Sequence, residues 1–243
     1  MFETVFIANL DIMKRNDIFF LLAVALFFLP FFVSDAVYAF YSDFNKEHGM
    51  IMSFIKFAVL ATLGEVIGLR IRTGEYNRKG FGILPRAIVW GFLGLTIKMA
   101  FVIFASGVPV FLEYLGVKNA GDVIKSDFSG TKLLVAFSIS TLLNLIYAPV
   151  MMTLHKITDT HIINNGGTLR GFFSPLRFGD IMVHLNWSVQ WNFVFKKTIP
   201  FFWIPAHTIT FLLPQEFRVL FAAFLGVALG VILAIAGLKS RKE

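Results

Sequence analysis

The sequence contains no cysteine, which excludes a disulfide, a thiol nucleophile and a cysteine metal site. It is also short of charge. Only 15% of residues are Asp, Glu, Lys or Arg, against about 25% in soluble domains. No Walker loop, GxSxG elbow or HExxH helix occurs, so the chemistries those motifs carry have no carrier here. What the chain has instead is apolar bulk: 57% hydrophobic residues, with 30 Phe among 243 residues, and a mean hydropathy of +0.74. One soluble core of this size cannot hide so many large apolar side chains. The composition predicts an all-α, polytopic transmembrane helical bundle, with 1–243 as a single membrane domain and the lipid bilayer as its first partner. The formal net charge is +7. The basic residues lie between apolar runs, which argues for membrane topology and against a nucleic-acid partner.

A hydrocarbon core about 30 Å thick needs about 20 helical residues. Runs 18–41, 50–69, 87–109, 132–154 and 219–238 meet that length. A shorter piece, 199–213, carries Pro205 and is followed by Pro214, and reads as a broken crossing held by its neighbours. Residues 181–195 scatter His184, Asn186, Ser188, Gln190 and Asn192 among apolar residues, with Trp187 and Trp191 four apart. That pattern predicts an interfacial amphipathic helix. The count is about six membrane segments plus that helix. Residues 155–180, with Asn164-Asn165-Gly166-Gly167 and Pro175, read as a loop. Lys14 and Arg15 before an apolar run imitate a secretory leader, but Glu3, Asp11 and Asp17 are wrong for one, so an uncleaved first membrane helix is expected. Of the 22 Lys and Arg, Lys56 and Lys98 lie inside spans. With six crossings, Lys46, Lys118, Lys125, Lys132 and Arg218 lie on one side and the other fifteen on the opposite side. The positive-inside rule then places both termini in the cytoplasm.

Ionisable and amide groups inside spans are the candidate site residues, because they are costly in lipid and turn toward the bundle interior. Lys98 and Asn144 lie near the middle of their spans, His207 near the middle of 199–213, and Glu65 nearer the cytoplasmic end. A shared polar cavity or pore lining would use all four. The structural alternative pairs Lys98 with Glu65 and Asn144 with a backbone carbonyl. Asp35 and Lys56 match in depth, so an intramembrane ion pair is one expectation, and outward snorkelling of Lys56 the other. Arg70, Arg72, Arg78, Lys79 and Arg86 would form a positive vestibule favouring anions, or serve topology alone. No catalytic group, metal or cofactor is expected. His155, Asp159 and His161 form a poor metal site, since His at i and i+6 do not share a helical face. Ala222, Gly226, Gly230 and Ala234 recur every fourth residue, a strip that lets another backbone approach, either within the chain or across a homo-oligomer seam. Gly107-Val108-Pro109-Val110 and Tyr147-Ala148-Pro149-Val150 echo each other, and each reads as the end of a helical run.

Trp203 and Phe211 are followed by Pro214 and Arg218 just before the last apolar run, with Gly64-Glu65, Arg86, Gly91 and Pro109 upstream. In these residues the chain resembles the Mpv-seventeen / twenty-two-kilodalton peroxisomal membrane protein family. Trp203 and Phe211 keep the spacing of the family's tryptophan and phenylalanine, with His207 in place of its glutamine and Thr210 in place of its asparagine. Pro205 stands one place later than the family's proline, and Pro214 precedes Arg218 as the family's proline precedes its arginine. Upstream, Gly64-Glu65, Arg86, Gly91 and Pro109 are similar to further family positions, and Pro149 sits near another. The resemblance covers roughly 50–238 and leaves the first span as an addition. It implies a small channel-like membrane protein linked with metabolite pools and membrane homeostasis. The sequence therefore leads to a channel or carrier-like pore for ions or small, anionic metabolites in a prokaryotic cytoplasmic membrane. A non-transporting structural or interaction protein is the alternative.

Overall fold

The computed structural model describes residues 15–239. Glu3, Asp11, Lys14, Arg241 and Lys242, used above for the leader and for orientation, lie outside the described residues. Every regular element among the described residues is helical, and the chain divides into two compact units, Met1–Gly49 and Met50–Glu243.

In the first unit the run expected as one span, 18–41, is three helices: α1 (Arg15–Phe28), α2 (Pro30–Val33) and α3 (Asp35–Glu47). Pro30 supplies no N–H to continue α1 and instead opens α2, the position where its fixed φ is an advantage. Ser34 is extended (φ −129°, ψ 108°) and its side chain accepts from the Val37 N–H, so it caps α3.

The second unit contains α4 (Gly49–Thr73), α5 (Ile83–Tyr114), α6 (Ala120–Val123), α7 (Gly130–Asn164), α8 (Leu169–Phe172), α9 (Phe178–Val183), α10 (Trp187–Val189), a π-helix (Gln190–Trp203), α11 (Ile204–Leu212) and α12 (Gln215–Lys239). Four helices are long and apolar enough to cross a membrane: α4, α5, α7, and α12 through Ile232. α5, with 32 residues, spans about 48 Å as an ideal helix. α7 is the hub, packing most heavily on α5 and α11 and also on the π-helix.

Three expectations change. Pro109 and Pro149 lie inside α5 and α7 rather than ending them. Proline's fixed φ is close to the helical value, so in a long helix each removes one intrahelical bond and leaves the rest. Residues 155–164 are helix, not loop. Segments 181–195 and 199–213 are not separate elements. One helical run extends from Trp187 to Leu212 and changes register from π to α at Ile204, beside Pro205. The carbonyl of Ile204 accepts from both Ser140 (2.7 Å) and Thr208 (2.8 Å), which fixes the junction onto α7. Gln190, expected on a polar face, is buried. Pro214 ends α11, and Arg218 closes that end by donating Nε to the Leu213 carbonyl (3.0 Å) and Nη2 to the Phe211 carbonyl (3.1 Å).

The small-residue strip of α12 meets α4 of the same chain. A Cβ placed on Gly64 would lie 2.7 Å from the Val227 Cα, and one on Gly230 would lie 3.0 Å from the Gly64 carbonyl oxygen. The two backbones touch through Gly64, Gly226 and Gly230, as expected where van der Waals packing must hold helices together in lipid. Gly64→Ala is therefore expected to lower the thermal unfolding midpoint in detergent, at the overpacking scale of about 1–3 kcal/mol. Gly107→Ala, on the same kind of helix with nothing within 4 Å of the added methyl, should be neutral or stabilising by up to about 1 kcal/mol. Equal midpoints for the two variants would show that the α4–α12 contact does not carry stability.

Candidate functional site

The expected site residues fall into three groups, at different depths along the bundle. The first is a charged node where α4, α5 and α7 meet. Arg86 is buried, with its side chain 7% exposed. Its Nη1 pairs with Glu65 Oε2, its Nη2 with Asp159 Oδ1, and its Nε donates to the Phe81 carbonyl at 2.7 Å. Its guanidinium also lies 4.4 Å from the centroid of the Phe81 ring. Glu65 takes two further contacts on Oε1, from Trp90 Nε1 at 2.8 Å and with His155 Nε2 at 3.1 Å. The Trp90 and His155 rings sit 4.3 Å apart. Lys156 reaches Asp159 Oδ2 at 3.4 Å from the exposed side.

The local folding that builds this node is legible in the glycines. Gly80, Gly82, Gly166 and Gly167 all have positive φ, and a Cβ on Gly82 would lie 2.9 Å from the Gly167 Cα. Only residues without a side chain let the turn after α7 press against the loop before α5. That approach brings Arg86, in the first turn of α5, level with Asp159 near the end of α7. Arg86 is thus a structural centre and not part of an exposed vestibule, whereas Arg72, Arg78 and Lys79 are exposed.

The second group is the pair Asn144 and His207, on α7 and α11. Asn144 Nδ2 lies 3.0 Å from His207 Nδ1 and donates to the Ser140 carbonyl at 2.8 Å, while Asn144 Oδ1 lies 3.2 Å from the same imidazole nitrogen. His207 is held between two aromatic rings, Trp203 at 5.1 Å and Phe101 edge-on at 5.5 Å. The imidazole Nε2 has no hydrogen bond among the described residues. Trp203 Nε1 is buried without a hydrogen-bond partner among the described residues. Trp203 and His207 therefore touch, and Phe211 is fully buried beside Phe101 with ring centroids 5.1 Å apart.

The third group lies beyond Phe101 and Phe211. There a cavity of about 410 Å³ opens between α5, the start of α7 and the α11–α12 turn, and Lys98 and Arg218 line it. Lys98 does not pair with Glu65, whose carboxylate is held by Arg86. The four expected residues therefore do not share one cavity. Asn144 and His207 come together, Lys98 is separated from them by the Phe101–Phe211 layer, and Glu65 is enclosed elsewhere. Asp35 opens α3 in the first unit. Lys56, on α4, is buried at 5% exposure.

Sequence reading missed Trp90 altogether and weighed His155 and Asp159 only as metal ligands. The available signal was spacing: Arg86 and Trp90 on one helix, and His155 and Asp159 on another, are each i, i+4 and so share a face. Among the described residues, no three His, Asp or Glu side chains are placed to hold a metal.

Compared with protein-family models, curated proteins and solved structures, the chain matches none. The class is set by the four apolar helices, which suit a membrane-embedded helical protein.

Breaking the node should be the most damaging single change outside the apolar core. Arg86→Ala leaves two carboxylates facing each other at low exposure, a loss of about 3–5 kcal/mol on the scale for removing one partner of a buried ion pair. Arg86→Lys should recover only part of it, because an ammonium cannot serve both acids and the Phe81 carbonyl with a planar fork. Unfolding midpoints measure both, and full rescue by lysine would show that charge alone suffices.

Proposed function

We propose that this chain is an integral membrane protein that passes ions or small metabolites through its helical bundle. The observation that carries this reading is the Asn144–His207 pair behind the Phe101–Phe211 layer, with the Lys98 cavity on the far side. Polar groups from three helices stand inside the bundle, where they are costly unless used. A solute entering the cavity would meet two rings in mutual contact. Rotation of Phe101 would expose His207 and Asn144, whose ring nitrogen and amide offer the hydrogen bonds that the solute gives up on leaving water.

The crossings in this reading are the four apolar helices, the run 187–212, and the first unit's helices, making about six. The basic excess puts both termini in the cytoplasm. Membership of the Mpv-seventeen / twenty-two-kilodalton peroxisomal family is part of the proposal and rests on the sequence resemblance carried by Trp203, Phe211, Pro214 and Arg218. A second reading, a non-transporting structural membrane protein, is favoured by the charged node, in which Glu65 and Asp159 are both paired with Arg86.

Flux of small anions into liposomes decides between them. Under the transport reading, Phe101→Ala raises flux severalfold while Lys98→Ala and His207→Ala lower it. Flux no higher than in protein-free liposomes for every form supports the structural reading instead. Orientation is tested separately, helped by the cysteine-free background. Lys79→Cys and Lys118→Cys replace exposed residues in the α4–α5 loop and just after α5. In intact cells an impermeant maleimide should label only Lys118→Cys, and labelling of Lys79→Cys alone would invert the topology.

A further inference from the structure

The cavity beyond Phe101 and Phe211 carries charge of one sign. Its lining includes Lys98, Lys125, Lys132 and Arg218 and no carboxylate. The acid nearest along the chain, Glu216, is exposed and outside the lining, and its charge acts on Arg218 from there. Two of the cations are partly engaged with backbone: Lys132 Nζ donates to the Ser126 carbonyl at 2.6 Å, and Arg218 uses Nε and Nη2 on the end of α11. Lys98 has no hydrogen bond or ion pair among the described residues, and the charge acting on it from within the cavity is a second cation, Arg218. It lies mid-way along a membrane-length helix and is half-buried. Like charges that line one cavity repel, and a half-buried cation without a counter-charge is expensive. A counter-anion between them removes both penalties.

We propose that this cavity binds a phosphate-type oxyanion attached to a small carbon body. The charge pattern calls for the anion, and the Nη1 side of Arg218, which makes no hydrogen bond among the described residues, suits the oxygens of a phosphate. The volume calls for the carbon body. A space of about 410 Å³ is the size of a small-molecule site, larger than a bare ion needs, and Phe101, Val102, Phe211 and Val219 give it apolar walls. A soluble phosphomonoester and the glycerophosphate headgroup of an anionic lipid have this same chemistry. The inference goes beyond transport and does not need it, because a protein that passes nothing can still hold an anion here.

The test uses the full chain and reads its thermal unfolding midpoint, since a ligand that binds only the folded state raises it by mass action. One arm titrates glycerol phosphate against sodium chloride at matched ionic strength in neutral detergent. The other compares phosphatidylcholine nanodiscs with and without phosphatidylglycerol. A saturable rise in the first arm identifies a soluble source, and a rise confined to the second identifies a lipid headgroup. Either supports the site, provided that Lys98→Gln weakens the response at least tenfold. Lys125→Gln, at an exposed rim position, should weaken it severalfold with an unchanged midpoint before ligand, and it decides the matter if Lys98→Gln fails to fold. Lys79→Gln, outside the cavity, should respond as the wild type does. No rise in either arm, or wild-type responses from the Lys98 and Lys125 variants, overturns the proposal. Binding without flux would retain this site and remove the transport reading, whereas flux without binding would do the reverse.

Discussion

The second unit is organised by a single guanidinium. Arg86 draws Glu65 from α4 and Asp159 from α7 to one point, and it takes the Phe81 carbonyl and ring from the loop before its own helix. Apolar helices in lipid have no hydrophobic reason to choose one register over another. A residue with a rigid fork, able to satisfy two carboxylates and a carbonyl at once, supplies that choice. Its value lies in specifying geometry, since desolvating such a group offsets much of the attraction gained. The rest of that end follows. Gly82 and Gly167 allow the backbones close enough for the node to form, and Trp90 and His155 occupy the Glu65 oxygen that Arg86 leaves over. With the bottom of α7 fixed against α5, Thr96 and Tyr147 meet higher up at 2.7 Å, and α7 presents Ser140 and Asn144 to α11.

α11 is placed by a different device. The run leading into it is wound as a π-helix for 14 residues, then tightens at Ile204. Wide turns of this kind expose backbone carbonyls and turn side chains away from the α-helical pattern. Ser140 takes up the Ile204 carbonyl at the change of register, and Pro205 begins the α-helix where its missing N–H does least harm. Arg218 fixes the other end through the Leu213 and Phe211 carbonyls. His207 lies between these two fixed ends, so its approach to Asn144 is set by backbone geometry at both termini of a nine-residue helix.

These two devices explain what could be read from the sequence. Apolar runs revealed α4, α5, α7 and α12, because twenty greasy residues have few other fates. Buried Asn144 and half-buried His207 were legible for the same reason: a polar group in such a run turns inward. Helix boundaries were less legible. Pro109 and Pro149 are marks of termination in a short soluble helix, but each removes one bond from helices of 32 and 35 residues. The run 187–212 was unreadable as one element because a π-helix does not repeat every 3.6 residues, so its polar side chains gave the signature of a surface helix while Gln190 faced inward. The partnership of Arg86 with Asp159 spans a long stretch of chain, and nothing local to either residue announces it.

The polar groups of the bundle are treated differently at its two ends. Around Arg86, acids and bases are matched and enclosed, with no side chain left over to meet a solute. Around Lys98, four cations line a cavity without an acid. Packing does not account for an interior cation without its counter-charge, since a leucine at position 98 would fill space without the desolvation penalty. The separation of the two ends also keeps them independent. Glu65 is paired with Arg86 well away from Lys98, so it is not the counter-charge of the basic cavity. An anion supplied from outside the chain then completes the charge balance that the fold leaves unfinished.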